Sequence, residues 1–394
     1  MLHRTERTLE NIPVGSLGMI PIDGCQELGV KVNDYLVKWR KEAVAKTKDD
    51  VVFHDYQKET YIIDAKVPRF GSGEAKGIIN ESVRGKDIYL MVDVCNYSLT
   101  YSLSGHTNHM SPDDHFQNLK RVIAAIGGKA RRINVIMPFL YESRQHKRSS
   151  RESLDCALAL QELVRMGVDN IITFDAHDPR VQNAIPLSGF ETVRPTYQFI
   201  KGLLQNVPDL KIDSEHMMAI SPDEGATGRA IYLANVLGLD MGMFYKRRDY
   251  TRIVDGRNPI VAHEFLGSSV EGKDVIIIDD MISSGDSILD VAKQLKARKA
   301  NRIFAAATFG LFTNGMKKFD EAYEQGIIHG ILTTNLIYQT SELLSKPYYI
   351  NCDLSKYIAL IIDTLNHDGS ISSILSPNER IQNVVKKYRN GEKI

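Results

Sequence analysis

Four consecutive branched aliphatic residues, Val275-Ile276-Ile277-Ile278, run straight into two carboxylates, Asp279 and Asp280, then into Ser283-Ser284-Gly285-Asp286-Ser287 and an amphipathic segment. An unbroken β-branched run is apolar on both faces, so it suits a strand covered from both sides, as in a parallel sheet flanked by helices. The same order recurs along the chain. Apolar runs at 87–94, 132–137, 170–174, 217–220 and 302–308 alternate with helical periodicity at 113–126, 153–166, 225–237 and 287–298. This alternation predicts an α/β protein with largely parallel sheets. A chain of 394 residues is long enough for about two or three domains. The stretches 46–77 and 249–264, charged and with few hydrophobic islands, read as loops or insertions. Residues 353–365 read as a helix, 369–375 as a short extended piece, and the basic tail beyond Pro377 as a solvated end.

Charge narrows the function classes. Lys+Arg and Asp+Glu both number 49, for a formal net charge of +0, which argues against coating nucleic acid or an acidic membrane. Any anion site must be local. No apolar run approaches the roughly 18–20 residues of a membrane span, and the first residues are too polar for a secretory signal, which predicts a cytoplasmic protein. Cys25, Cys95, Cys156 and Cys352 are scattered without a CxxC pair, so reduced and mostly buried thiols are expected.

Several loops carry chemistry. Asp279 and Asp280 fall where a buried strand emerges, the edge at which open α/β sheets bind ligands. The Ser283–Ser287 turn then offers hydroxyls and backbone N–H groups at a helix N-terminus, a setting for phosphate. Capping alone would explain the serines but not two carboxylates directly after the strand. Arg144 and Gln145 follow an apolar run and suit a phosphate-bearing ligand, although a surface salt bridge would also explain Arg144. His177 follows the run 170–174 and Asp175, and can ligate a metal or donate to phosphate. Asp223, in Ser221-Pro222-Asp223-Glu224-Gly225, can hold a divalent metal or simply cap a helix. Lys246-Arg247-Arg248 place three cations in a row, with Lys246 and Arg248 on one side of an extended backbone. Two decoys are set aside. Gly267 to Lys273 has Walker A spacing, but Asp274 and a strand follow. The cluster His106, His109, Asp113, Asp114 and His115 surrounds a good helix start at Ser111-Pro112.

The Asp279–Ser287 segment resembles the phosphoribosyl pyrophosphate loop of type I phosphoribosyltransferases and of ribose-phosphate diphosphokinase, the phosphoribosyl pyrophosphate synthetase family. Five further segments resemble the synthetase in its own order: Pro68-Arg69-Phe70-Gly71-Ser72-Gly73-Glu74, Pro138 to Gln145, Phe174 to Gln182, Ser221 to Gly225, and Lys246 to Arg248. The resemblance implies two similar phosphoribosyltransferase-like α/β domains, each a central mostly parallel sheet flanked by helices. They would span residues 1–195, binding ATP, and 196–355, binding ribose 5-phosphate, with 356–394 returning to the first. It implies ATP contacts from Phe70, Ser72, Glu74, Arg144 and Gln145, and metal contacts for Mg²⁺ from His177 and Asp223. Ribose 5-phosphate would lie on Asp279, Asp280, Ser283, Ser284, Gly285, Asp286 and Ser287. Lys246, Arg248 and His177 would be catalytic, and dimers would assemble to a homo-hexamer.

The sequence also departs from the family. Asp286 puts a carboxylate into the anion loop, and Thr308-Phe309-Gly310 stands where the synthetases have Thr-His-Gly. The stretches 46–77, 98–112 and 249–256 are longer than expected. A catalytically silent regulatory paralogue is one alternative that the altered loop motivates. A phosphoribosyltransferase is the other, which would leave the ATP-like segments idle.

Overall fold

The computed structural model describes residues 12–45, 55–248 and 260–394, with the side chains of 246–248 and 260–263 outside that description. The chain divides into two compact units. The first runs to Arg194 and takes in Leu336–Tyr338 and Leu354–Ser376; the second holds Pro195–Asn335, Gln339–Asp353 and Pro377–Ile394.

In the first unit the chain forms β1 (Leu17–Pro21), α1 (Gln26–Val44), a small antiparallel pair β2 (Ala65–Lys66) and β3 (Ile78–Ile79), and β4 (Asp87–Met91). A hairpin of β5 (Thr100–Leu103) and β6 (His106–His109) follows, then α2 (Pro112–Ile126), β7 (Arg132–Ile136), α3 (Asp155–Arg165), β8 (Asn170–Phe174) and β9 (Gly189–Val193). Five strands make one parallel sheet in the order β1-β4-β7-β8-β9. Every residue of β1 and β4 is buried, including Asp87 at the start of β4. The stretch 98–112, which reads as an insertion, is largely the β5–β6 hairpin.

The second unit contains α4 (Thr196–Asn206), β10 (Met217–Ser221), α5 (Thr227–Leu237), β11 (Asp240–Arg248), β12 (Ile260–Leu266), β13 (Asp274–Ile282) and α6 (Asp286–Ala297). It continues through β14 (Ile303–Gly310), α7 (Lys317–Glu324), β15 (Gly330–Thr334), α8 (Ser341–Leu344) and β16 (Tyr349–Cys352). Its seven-stranded sheet has the order β12-β11-β10-β13-β14-β15-β16, parallel except for β12. From β10 the chain steps outward to β11, and from β13 it steps outward the other way, so β10 and β13 flank a topological switch point.

Three sequence expectations are corrected here. Part of 249–264 is strand β12, paired antiparallel to β11; the remainder of that stretch lies outside the described residues, as do 46–54 of the first long stretch and the polar N-terminal residues up to Asn11. The piece read as extended at 369–375 ends in a helical turn, α10 (Ser372–Leu375). The C-terminal segment does not return to the first unit as a whole. Helix α9 (Ser355–Asn366) does, but α11 (Asn378–Arg389) belongs to the second unit and packs on α4 and α5. The reason is a spaced apolar stripe: Ile381, Val384 and Val385 are buried in the second unit's core. Tyr232 and Gln382 add side-chain bonds to Asn378 Oδ1 (2.8 Å) and the Val236 carbonyl (2.7 Å). Among the described residues no helix is long and apolar enough to cross a membrane.

Candidate functional site

On the second unit, β13 continues through the two carboxylates to Ile282, four residues beyond the apolar run, because β14 stays paired with it as far as Ile282 opposite Gly310. Asp280 is buried and Asp279 half-buried. The Asp280 N–H donates to Asp279 Oδ1 at 2.8 Å, and the Arg229 guanidinium of α5 stands 3.8 Å from Asp280 Oδ2. Burial, then the neighbouring Asp280 charge and the more distant Asp223, hold the Asp279 carboxyl well above its ordinary range.

The loop beyond is fixed by its backbone. Ile282 accepts N–H bonds from Leu311 and Phe312, and the Ser283 carbonyl accepts one from Thr313 at 3.0 Å. Gly285 has φ +86°, and a Cβ there would lie 2.2 Å from the Phe319 ring, so only glycine fits. Asp286 opens α6, and its carboxylate turns toward α7: Lys318 Nζ lies 2.5 Å from Oδ1, and Ser284 Oγ donates to Oδ2 at 3.0 Å. These two donors hold its pKa below the usual carboxylate value. The carboxylate in the loop thus has a cation and a hydroxyl as partners. Across the switch point, Asp223 Oδ1 accepts the Gly225 and Ala226 N–H groups at 2.9 and 3.3 Å, and its carbonyl accepts Ser221 Oγ at 2.6 Å. Asp223 thus shapes the turn into α5 and also adds its charge to Asp279. Strand β11 carries Lys246 and Arg248 past the end of β10, since Ser221 pairs with Met243; their side chains lie outside the described residues.

On the first unit, the Phe70 loop closes on itself. The Phe70 N–H donates to the Glu74 carbonyl at 2.8 Å, the Gly73 N–H to the Phe70 carbonyl at 2.9 Å, and Ser72 Oγ to Glu74 Oε2 at 3.0 Å. The Phe70 ring is 53% exposed. After β7, Arg144 is exposed, and Gln145 donates to the Ser153 carbonyl at 2.7 Å. After β8, Asp175 adopts φ +40°, which turns the chain sharply before His177. The His177 ring lies 5.3 Å from that of His146, whose Nε2 is 3.5 Å from Asp178 Oδ2. A two-pronged bond from Arg180 holds the Asp178 carboxyl down at about 2.

Two residues in this region went unread in the sequence. His146 follows Gln145 and carries no distinguishing spacing. Asp93 could have been found, because it follows a buried strand as Asp279 does. It is buried, and accepts the Cys95 and Tyr338 N–H groups at 2.9 and 2.6 Å; burial pushes its pKa up to about 7. In the histidine-rich cluster, Asp114 caps α2 with Ser111, and His115 is buried against the Asn96 carbonyl at 2.7 Å. Gly267 to Lys273 is a turn between β12 and β13.

Two units with parallel sheets flanked by helices and chemistry-bearing loops at the strands' carboxyl ends define the phosphoribosyltransferase-like α/β class. Residues 18–167 match the N-terminal domain of ribose phosphate pyrophosphokinase, and residues 257–376 match the phosphoribosyl synthetase-associated domain. The chain belongs to the ribose-phosphate pyrophosphokinase family. The Vibrio parahaemolyticus ribose-phosphate pyrophosphokinase is 29% identical over 318 residues, covering 79% of this chain and 91% of the relative. The Pasteurella multocida protein of that name is 29% identical over 316 residues, with the same coverage. The crystal structure of phosphoribosylpyrophosphate synthetase from Mycobacterium smegmatis shares the fold, with a TM-score of 0.70 at 20% identity, covering 90% of this chain and 100% of that one.

Proposed function

We propose that this chain is a ribose-phosphate diphosphokinase, transferring the diphosphoryl group of ATP to the 1-hydroxyl of ribose 5-phosphate to give phosphoribosyl pyrophosphate and AMP. The observation that carries this reading is the pairing, at the switch point of the second sheet, of an acidic strand end with a hydroxyl-bearing loop at a helix N-terminus. Asp279 and Asp280 suit the vicinal ribose hydroxyls, and Ser283, Ser284, Gly285 and Ser287 suit the 5-phosphate. On the first unit, Phe70, Ser72, Glu74, Arg144 and Gln145 are the groups offered to ATP.

The 1-hydroxyl oxygen forms its new bond to the β-phosphorus as the bond from that phosphorus to the α,β-bridging oxygen breaks. That oxygen keeps the electron pair in AMP, and the hydroxyl proton leaves to solvent. No protein nucleophile is required, so positioning and neutralisation of charge dominate. Lys246 and Arg248 are the cations for that task, and His177 donates to phosphate oxygens. On the second unit Asp223 is the candidate holder of a divalent cation, and Mg²⁺ needs only one or two carboxylates when substrate phosphates and water supply the rest; on the first unit His177 is a candidate contact to metal or phosphate. When bound, the cation would offset phosphate charge. The enzyme is expected to act as a homo-oligomer of dimers, up to a hexamer, in the cytoplasm.

Incubation with ATP, ribose 5-phosphate and Mg²⁺ is expected to release AMP in step with phosphoribosyl pyrophosphate. ADP in place of AMP, or no nucleotide product at all, would overturn the reading.

The Asp286–Lys318 pair speaks against a silent paralogue, since the extra carboxylate has a cationic partner on α7 and a hydroxyl donor in Ser284. K318M is expected to raise the KM for ribose 5-phosphate about threefold or more, because a surface pair of this kind is modest but its loss frees a charge beside the phosphate. Against a D286S background the same change should alter KM little. Steady-state kinetics of the four proteins measures this coupling.

A further inference from the structure

The β5–β6 hairpin belongs to none of the loops assigned above, yet it underlies one of them. Arg69, in the Phe70 loop, donates from Nη1 to the Gly73 carbonyl and from Nη2 to Asp114 Oδ1, each at 3.0 Å. Its guanidinium lies 4.1 Å from the centre of the Tyr101 ring on β5. At the hairpin tip, the Ser104 N–H donates to the Gly71 carbonyl at 3.0 Å. Leu103 fills the space beneath Gly73, where a Cβ would lie 2.8 Å from its Cδ1. Tyr101 and Leu103 are half-buried while Thr100 and Ser102 point outward, so the hairpin presents one apolar face to the loop. Asp114 ties the arrangement to the scaffold, because its other oxygen accepts the Ser111 N–H in the capping box of α2.

We propose that the β5–β6 hairpin is a brace for nucleotide binding, with Tyr101 and Arg69 as positioning residues that fix the Phe70 loop before ATP arrives. The inference rests on the reading of that loop as an ATP contact. The loop backbone is held by the hairpin, while Phe70 remains exposed. An exposed aromatic on an unbraced loop would lose conformational freedom on stacking against a purine, and that loss weakens binding. Here the ordering is already present in the free protein. Arg69 has both ends of its guanidinium fork engaged and a ring across its face, so lysine cannot replace it.

The test is kinetic and direct. Y101A and R69K are each expected to raise the KM for ATP roughly five- to tenfold, leaving kcat and the KM for ribose 5-phosphate within about twofold. Y101F keeps the ring and should behave as the unaltered enzyme. Equal KM values for ATP in all four proteins, or a matching rise in both KM values, would overturn the brace. Equilibrium binding of ATP to the unaltered protein separates the two levels of inference. If it binds ATP and Y101A binds it equally well, the brace alone fails; if it binds no ATP, the reading of the Phe70 loop fails first.

Discussion

Replacement of Lys246 with alanine is expected to lower kcat by about 10³-fold, while the KM for ribose 5-phosphate stays within about twofold. Diphosphoryl transfer leaves negative charge on the equatorial oxygens of the migrating group and on the departing AMP oxygen. A cation that meets this charge only as it redistributes raises kcat, whereas one that met ground-state phosphate equally well would lower KM instead. The proposed function gives Lys246 the first role. It lies on β11 three residues past Met243, the partner of Ser221, and so beyond the carboxyl end of β10, where Asp223 turns the chain. The groups proposed for ribose 5-phosphate lie on β13 and its loop, on the other side of β10, so removing Lys246 should spare them. Rates of AMP release against each substrate give the split. Unchanged turnover would remove Lys246 from the reaction, and a rise confined to the ribose 5-phosphate KM would reassign it to substrate binding. The Arg248→Ala variant should follow the same pattern.

The strands that position these loops were legible because buried parallel strands have an unmistakable composition. Val275 to Ile278 and the run at 170–174 could be little else. Their loops were legible because a carboxylate or imidazole just past such a strand stands at a ligand-binding edge. What stayed hidden depends on pairing across long sequence distances. Nothing in Ser283 to Ser287 says that Lys318, 32 residues on, takes the Asp286 carboxylate. Nothing near Pro68 says that a polar hairpin containing Tyr101 lies under Arg69. The tail illustrates a different miss: Ile381, Val384 and Val385 follow helical spacing, but their high background of charge masked the stripe. The split destination of α9 and α11 was invisible for the same long-range reason, and a buried carboxylate supplies the physics of the first half.

Asp87 begins β4 at the amino edge of the first sheet and is fully buried. Its carboxylate accepts Arg132 Nε and Nη2 at 2.8 Å each, Asn134 Nδ2 and Asn366 Nδ2 at 2.9 Å each, and the Tyr89 hydroxyl at 3.1 Å. Asn366 closes α9, and Arg132 also donates to the Leu365 carbonyl at 2.7 Å, so a single anion binds the end of that helix to two neighbouring strands. Arg40 of α1 adds a second buried link, to Asn366 Oδ1 at 2.7 Å. Asp87→Ala would take from the Arg132 guanidinium its buried ionic partner, leaving it the Leu365 carbonyl and the exposed Asp368, and would take one acceptor each from Asn134 and Asn366. Breaking one side of a buried pair costs several kcal/mol, so the first unit should lose about 3–5 kcal/mol of stability, read as an earlier unfolding transition in urea. The Asp87→Leu/Arg132→Met double variant should lose less than the single one, because no unpaired charge remains. Activity per folded molecule should be unchanged in both: the site loops leave the opposite ends of the strands, roughly 16 Å away along a five-residue strand. A single variant as stable as the parent would mean that α9 is held by its apolar face against α1 alone; a double variant less stable than the single would mean that shape, not charge, governs the junction.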